Sequence, residues 1–198
     1  SKLSRVGSLD RPNMVFIKRD EPSFAVELTR SQQEAARLEP KLNYLCELLQ
    51  EGNKSRDKET SPRWLASFDL SFGTALAEKV RTETYNLMLA KAKRGIPFEK
   101  EKSNTWNLVP SEEISVGSKL EKEGAQAREM LERVAKEHEG TPWSYLAKRE
   151  LQRPIGWSWK ESETDLSPPP ARPTRPNNTP PPPANAPTKP MTRPAPKL

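Results

Sequence analysis

The stretch from Pro62 to Gly95 constrains the fold most, because it reads as one long helix with two apolar sides. Leu65, Phe68, Phe72, Leu76, Val80 and Leu87 recur at helical spacing on one side, while Trp64, Tyr85, Met88 and Ala92 add a second. A helix with one apolar stripe lies on a surface. One with two must be covered from two directions, so this segment is expected to be the central element of the domain. Ser61 is placed to cap its start, with Pro62 in the first turn, where a missing N–H breaks no helical bond. At "KAKRGIP" the basic residues suit the negative helix end, Gly95 suits a left-handed cap, and Pro97 cannot continue the helix.

An earlier helix opens at "DEPSF", where Asp20 or Ser23 can cap and Pro22 fits the first turn. Phe24, Leu28, Ser31, Ala35, Leu38, Leu42, Leu45 and Leu49 then alternate steps of four and three, a narrow seam that only Ser31 interrupts. Such a seam needs a partner helix, within the chain or on another copy. Pro40 lies inside the seam, removes a backbone donor and crowds the preceding turn, so a kink or short break is expected near Glu39. The polar "EGNKSRDKETSP" reads as an exposed loop to the central helix.

Between residues 98 and 117 the helical period disappears, and "NTWNLVP" is a short extended run, a strand or an ordered loop that packs Trp106 and Leu108. Ser118 with Glu121 forms a capping-box pattern, and Leu120, Ala127, Leu131 and Val134 carry a helix to about His138. Gly140, Thr141 and Pro142 then supply a stop, a cap and a first-turn proline on successive residues. That leaves almost no loop, so the next helix, with Trp143, Leu146, Ala147, Glu150 and Leu151 near one face, is expected to lie antiparallel beside its predecessor. Trp143 would then point into the crease between them. Pro154 ends this helix, and the alternating "IGWSWKE" is expected to fold back so that Trp157 or Trp159 covers the same crease. "NMVFIKR" has the look of a strand but no evident partner, and reads as a joint to a preceding domain.

Composition divides the chain. Only 33% of residues are apolar, against about 45–50% (glycine included) in a typical globular domain, and thirteen of the 21 prolines lie between Pro168 and Pro196 without one aromatic residue. Such a tail buries too little to offset the entropy of ordering and is expected to be disordered. The net charge of +6 also concentrates there. Of 33 basic residues, Arg172, Arg175, Lys189, Arg193 and Lys197 follow the last acid, Asp165, which leaves 28 basic against 27 acidic side chains in the remainder. In "KLEKEGAQAREMLERVAKEHE" both signs interleave at helical spacing, a solvated and internally paired surface rather than a nucleic-acid face. No run approaches the roughly 18–20 apolar residues needed to span a bilayer. The chain begins at Ser1 without a signal-peptide core, as a fragment or processed product would, so its compartment is left open.

Residues able to carry chemistry are few. The single Cys46 permits no internal disulfide and, beside Leu45 of the seam, reads as a small apolar side chain; the single His138 cannot anchor a usual zinc set. Glu137 and Glu139 flank His138, but adjacent helical residues do not face one another, and the histidine reads as a C-terminal helix residue favoured by the dipole. Glu112 with Glu113 and Glu121 with Glu123 are charged helix starts without fixed separation. "DLSFG" shares Asp69 and Ser71 with an Asp-x-Ser-x-Ser metal site but lies inside the central helix. No phosphate loop, nucleophile elbow or His-Glu-x-x-His occurs. No catalytic residue, cofactor or metal is therefore assigned. The candidate interaction residues are the aromatic cluster Trp143, Tyr145, Trp157 and Trp159, which serves a groove or the core, and Pro170, Pro173 and Arg175, which fit a polyproline-ligand pattern in a segment that also serves as a cationic spacer.

The blocks "KVRTETYNLMLAKAKRG", "NTWNLVPSEEISVGSKLEKE" and "LERVAKEHEGTPWSYLAKRELQRPIGWSWKE" resemble, in the same order, the C-terminal region of large bacterial, planctomycete-type proteins that carry a von Willebrand factor A domain upstream. The resemblance covers roughly residues 10 to 161, brings no catalytic or metal-binding residue, and does not include the A domain itself. The helix–Gly–Thr–Pro–helix block is also similar to the joints of tetratricopeptide-like hairpins, although no 34-residue repeat accompanies it. The expectation is an all-α domain of about four helices in antiparallel hairpins, TPR-like or a bundle, over residues 20–161. An extended joint over 1–19 precedes it, and a disordered, proline-rich basic tail over 162–198 follows. Its expected role is a non-catalytic helical protein–protein interaction or spacer module, the alternatives being an adaptor whose tail docks a partner and an enzyme using Glu or His in a helical cleft.

Overall fold

The structure, a computed structural model, describes residues 12–167. The chain divides into two units, Ser1–Thr164 and Asp165–Leu198; Pro170, Pro173 and Arg175 lie outside the described residues. The first unit is mostly helical but not all-α. Its helices are α1 (Glu21–Ala36), α2 (Glu39–Asn53), α3 (Pro62–Lys93), α4 (Ser118–Glu137) and α5 (Pro142–Leu151), and three strands, β1 (Val15–Ile17), β2 (Thr105–Ser111) and β3 (Gly156–Ser162), form an antiparallel sheet in the order β1-β2-β3.

The sheet corrects the all-α expectation, and the reason is pairing over distance. "NMVFIKR" is not a joint but a strand, and nothing near it in sequence could accept it; its partner lies about ninety residues on, with Phe16 opposite Trp106 and Val15 opposite Asn107. β3 then pairs along the full length of β2, from Thr105 opposite Ser162 to Ser111 opposite Gly156. Pro110 sits beyond the part of β2 that β1 covers, so the N–H it lacks is not needed by that edge. Alternation puts Phe16, Trp106, Leu108, Trp157 and Trp159 on one sheet face, and these pack with Phe24 and Leu28 of α1 and Tyr85, Met88 and Leu89 of α3.

α3 is the central element, about 48 Å long at 1.5 Å per residue. Its first half packs between α2 and α4 through Phe72, Leu76 and Val80, and its second half between α1 and the sheet. The two apolar sides are thus used in succession along the helix. Trp64 and Leu87, assigned to those sides from spacing, are exposed instead, because no element covers their positions.

The break at Pro40 occurs: α1 ends at Ala36 and α2 begins at Glu39. It also shifts the phase of the seam. Phe24, Leu28 and Ser31 are buried in α1, but in α2 Cys46 is the buried residue, while Leu38 and Leu45 of the continuous heptad face solvent. Asp20 caps α1 by accepting a 2.7 Å bond from the Ser23 amide, which holds its carboxyl below the usual range. Gly95 and Gly140 both take positive φ (104° and 78°), as their stop positions require. The capping box does not form. Gly117 is the N-cap of α4 and no side chain caps it; likewise Ser61 makes no cap bond, and the Glu59 carboxylate accepts from the Thr60 and Ser61 amides instead.

Ion pairs tie the layers together. The Asp69 carboxylate, almost fully buried inside α3, receives both arms of Arg56 (2.7 and 2.6 Å) and lies 3.5 Å from Arg133 of α4, so the "DLSFG" aspartate pins a loop and two helices. Burial alone would push the Lys79 ammonium down, but Glu123 and Glu83 outweigh it and its pKa lies above the usual value. Burial pushes the neighbouring Cys46 thiol up.

Candidate functional site

A groove of about 710 Å³ lies where α1, α3, the end of α5 and the start of β3 meet. Pro12, Pro110 and Pro154 contribute apolar wall, with Met14, Tyr85 and Trp157 between them. Each arrives by a different route. Pro110 and Trp157 are register partners across β2 and β3, Pro154 is the residue that stops α5, and Tyr85 comes from the middle of α3.

The aromatic residues in the groove are fixed at their polar ends. Tyr85 stacks edge-on against Trp157 with centroids 6.1 Å apart, and its hydroxyl donates to the Asn13 carbonyl at 2.8 Å. Burial pushes the phenol up to about 12. The Trp157 indole donates to the Arg81 carbonyl at 3.0 Å, which ties the ring to α3.

The charged side of the groove is built on Arg81, whose side chain is 7% exposed. Nε donates to the Pro154 carbonyl and Nη2 to the Arg153 carbonyl, each at 3.0 Å, while Nη1 donates to Glu150 at 2.6 Å and Glu78 at 3.1 Å. Arg153 Nη1 donates to the same two carboxylates, at 2.7 Å to Glu78 and 3.1 Å to Glu150, and their charges hold its pKa up against the effect of burial. Two guanidiniums thus meet two carboxylates, and the α5 terminus is fastened to α3. Each acid is paired with both guanidiniums.

A second cleft, about 600 Å³, lies at the other end of the sheet beside Trp106 and Trp159. There the Glu161 carboxylate accepts the amides of Glu99 and Lys100, at 2.9 and 3.0 Å, and Phe98 stacks on Trp106 at 4.8 Å. The Trp159 indole donates to the Met88 carbonyl at 3.3 Å.

The structure separates the aromatic residues that the sequence groups together. Trp143 is half-buried against Leu131, Val134 and Ala147, in the crease expected for it, and α5 doubles back along α4 with Ser144 Oγ donating to the Ala135 carbonyl at 2.8 Å. Thr141 caps α5 through the Ser144 amide. Trp157 and Trp159 do not cover that crease; as strand residues two apart they share the inner sheet face and lie on α3. Tyr145 is 67% exposed and makes no hydrogen bond through its hydroxyl among the described residues. His138 is the C-cap of α4, and its backbone carbonyl accepts a bond from Thr141 Oγ1.

Sequence reasoning missed Arg81, Glu78, Met14 and Pro110 as groove residues, and Glu150 as the carboxylate that pairs with Arg81 behind them. The signal for the network was weak, since apart from Glu78, three residues before it, the partners of Arg81 lie about seventy residues away. Among the described residues no cluster of three or more metal-ligating side chains occurs, and no helix is long and apolar enough to cross a membrane. Comparison with protein-family models, curated proteins and solved structures finds no match.

Proposed function

We propose that this chain is a non-catalytic helical interaction or spacer module from the C-terminal part of a von Willebrand factor A domain protein, and that the Pro12–Trp157 groove receives an extended segment of a protein partner. What carries the reading is the state of the groove. It offers apolar wall from three prolines, Met14 and Trp157, while Arg81, Arg153 and Glu78 beside it are held in ion pairs and hydrogen bonds within the chain, and Arg37 at its rim forms no ion pair among the described residues. A largely pre-formed cleft with most of its charges paired suits recognition by shape and apolar contact. The family part of the proposal rests on the order of the three sequence blocks. The tetratricopeptide-like part rests on the tight α4–α5 hairpin. Partners are expected to be proteins rather than nucleic acid, given the nearly balanced charge before the tail.

Peptides selected from a displayed random library on the full chain test this directly. Amide shifts caused by a selected peptide should cluster around Met14, Ala35, Thr82 and Trp157; shifts confined to another face, or a library that yields no binder, would refute the groove. The second reading, an adaptor docked through Pro170, Pro173 and Arg175 on a polyproline-binding or acidic partner, is favoured by the concentration of prolines and cations after Asp165. Removing residues 164–198 separates the two, since unchanged partner capture dismisses the tail.

A further inference from the structure

β3 is an edge strand, and one side of its backbone has no partner. The ladder fixes which side. The Leu108 amide donates to the Met14 carbonyl and the Lys18 amide to the Asn104 carbonyl, each at 2.8 Å, so alternate residues of β2 turn their polar groups toward β1. Thr105, Asn107, Val109 and Ser111 turn theirs toward β3, where their register partners are Ser162, Lys160, Ser158 and Gly156. Backbone direction alternates along a strand, so the N–H and C=O of Trp159 and Glu161 point away from β2. Among the described residues nothing bonds to any of these four groups. The strand that carries them is nonetheless held in place, since the Trp159 indole is bonded to the Met88 carbonyl and the Glu161 carboxylate to two backbone amides.

The 600 Å³ cleft takes one wall from this strand: four consecutive residues, 158 to 161, line it, with Met88 and Ile96 adding apolar surface. Its charges are unevenly used. Glu161 is engaged by the amides of Glu99 and Lys100, whereas Lys91, Lys100 and Lys160 form no ion pair among the described residues. Against these three cations the wall sets one further acid, Glu99. By alternation Lys160 lies on the outer sheet face, opposite to Trp159 and Glu161, so cations stand on both sides of the unpaired edge. An unpaired edge is a template for another strand, and a lysine on it disfavours pairing with a copy of itself. A second copy of this chain would bring three more lysines to the same place. An acidic strand would meet complementary charge.

We propose that the outer edge of β3 takes up an extended, acidic segment of a protein partner as a fourth strand of the sheet. The segment pairs its backbone with Trp159 and Glu161 and sets carboxylates beside Lys91, Lys100 and Lys160. Main-chain bonds supply attachment and the lysines supply selection. The surface is separate from the Pro12–Trp157 groove and does not depend on it. Two outward residues make a short ladder, so binding of an isolated peptide is expected to be weak, with a Kd on the order of 100 µM.

The test is titration of the full chain with a labelled hexapeptide that alternates glutamate and valine, followed by fluorescence anisotropy and by amide shifts. Shifts should centre on Trp159, Lys160 and Glu161, and a peptide with lysine in place of glutamate should bind about tenfold more weakly or not at all. Molar salt should weaken the acidic peptide about fivefold, and Lys160→Glu should do the same at low salt. The backbone part is read from two variants of one residue. Glu161→Ala and Glu161→Pro both lose the carboxylate, but only proline also lacks the outward N–H, a loss that an edge strand tolerates in its own fold. Glu161→Pro should therefore bind about tenfold more weakly than Glu161→Ala. Far-UV circular dichroism and urea midpoints control for folding, and Lys160→Glu, at an exposed position, keeps the test open should the proline variant unfold. Absence of binding would overturn the proposal, as would equal binding of the two peptides or equal affinity of the two Glu161 variants. A dimer that Glu161→Pro dissolves would also overturn it, by making a second copy the occupant. Shifts around Met14 and Thr82 instead would count for the groove and against the edge, so failure of one reading is distinguishable from failure of the other.

Discussion

Replacing Arg81 with methionine keeps the length and most of the volume of the side chain but removes every donor of its guanidinium. In the native protein that group serves two backbone carbonyls, of Arg153 and Pro154, and two carboxylates, of Glu78 and Glu150. Glu150 is largely buried, and Arg153 would remain as its single cationic partner. Leaving a buried acceptor without a donor costs about 1–3 kcal/mol, and three of these acceptors lie in the wall. Against that, the guanidinium no longer has to be desolvated, and Arg153 still neutralises part of the charge. The net expectation is that of a broken buried ion pair, about 3–5 kcal/mol. With a urea m-value of about 2 kcal/mol/M for a unit of this size, the unfolding midpoint should fall by about 2 M. Arg81→Lys should recover only part of this, because an ammonium cannot span the fork that reaches carbonyls and carboxylates at once. Tryptophan fluorescence is a suitable monitor, since the Trp157 indole is bonded to the Arg81 backbone. A stability within 1 kcal/mol of wild type for Arg81→Met would refute the claim that this network fastens α5 to α3.

Three further outcomes are expected. Asp69→Asn removes the buried charge and turns one of the two oxygens that accept from Arg56 into a donor facing it, and should cost about 2–4 kcal/mol in chemical unfolding, with faster tryptic cleavage after Arg56 as the turn loses its anchor. A Cβ at Gly156 would stand 2.2 Å from the Glu113 carbonyl oxygen, backbone that cannot swing aside, so Gly156→Ala should destabilise by about 2 kcal/mol or more. For Tyr85 the folded protein holds the phenol neutral up to about 12, whereas the unfolded chain ionises near 10. Its contribution is therefore intact below pH 10 and is lost as pH rises from 10 to 12. Wild type should lose about 2–3 kcal/mol relative to Tyr85→Phe over that window in urea titrations, and parallel curves would show that the phenol is not held this way.

The helical part of the fold was legible because its signals are local. Prolines at first-turn positions, Gly95 and Gly140 at the stops, and periodicity over thirty residues each concern neighbours within a turn or two. The sheet was not legible as a sheet. Val15–Ile17 looked like a strand without a partner, since strand pairing has no sequence signal when ninety residues intervene. The same distance hid the groove, whose wall joins Pro12, Arg81, Pro110 and Trp157. The exposed seam residues Leu38 and Leu45 show a different failure: the period was read correctly, but a break of two residues rotated α2 and moved Cys46 inside in their place.

The sequence by itself determined that a long two-sided helix would sit at the centre, that a hairpin would turn at Gly140 with Trp143 in its crease, and that charge and proline would gather after Asp165. These follow from bonds and contacts between residues close in the chain. Tertiary structure alone decided that Trp157 and Trp159 lie on α3 beneath a sheet, that Arg81 closes a four-residue ion network, and that one side of α2 stays uncovered. Each of those depends on which distant segments meet, and burial is a property of the assembled fold rather than of any stretch of it.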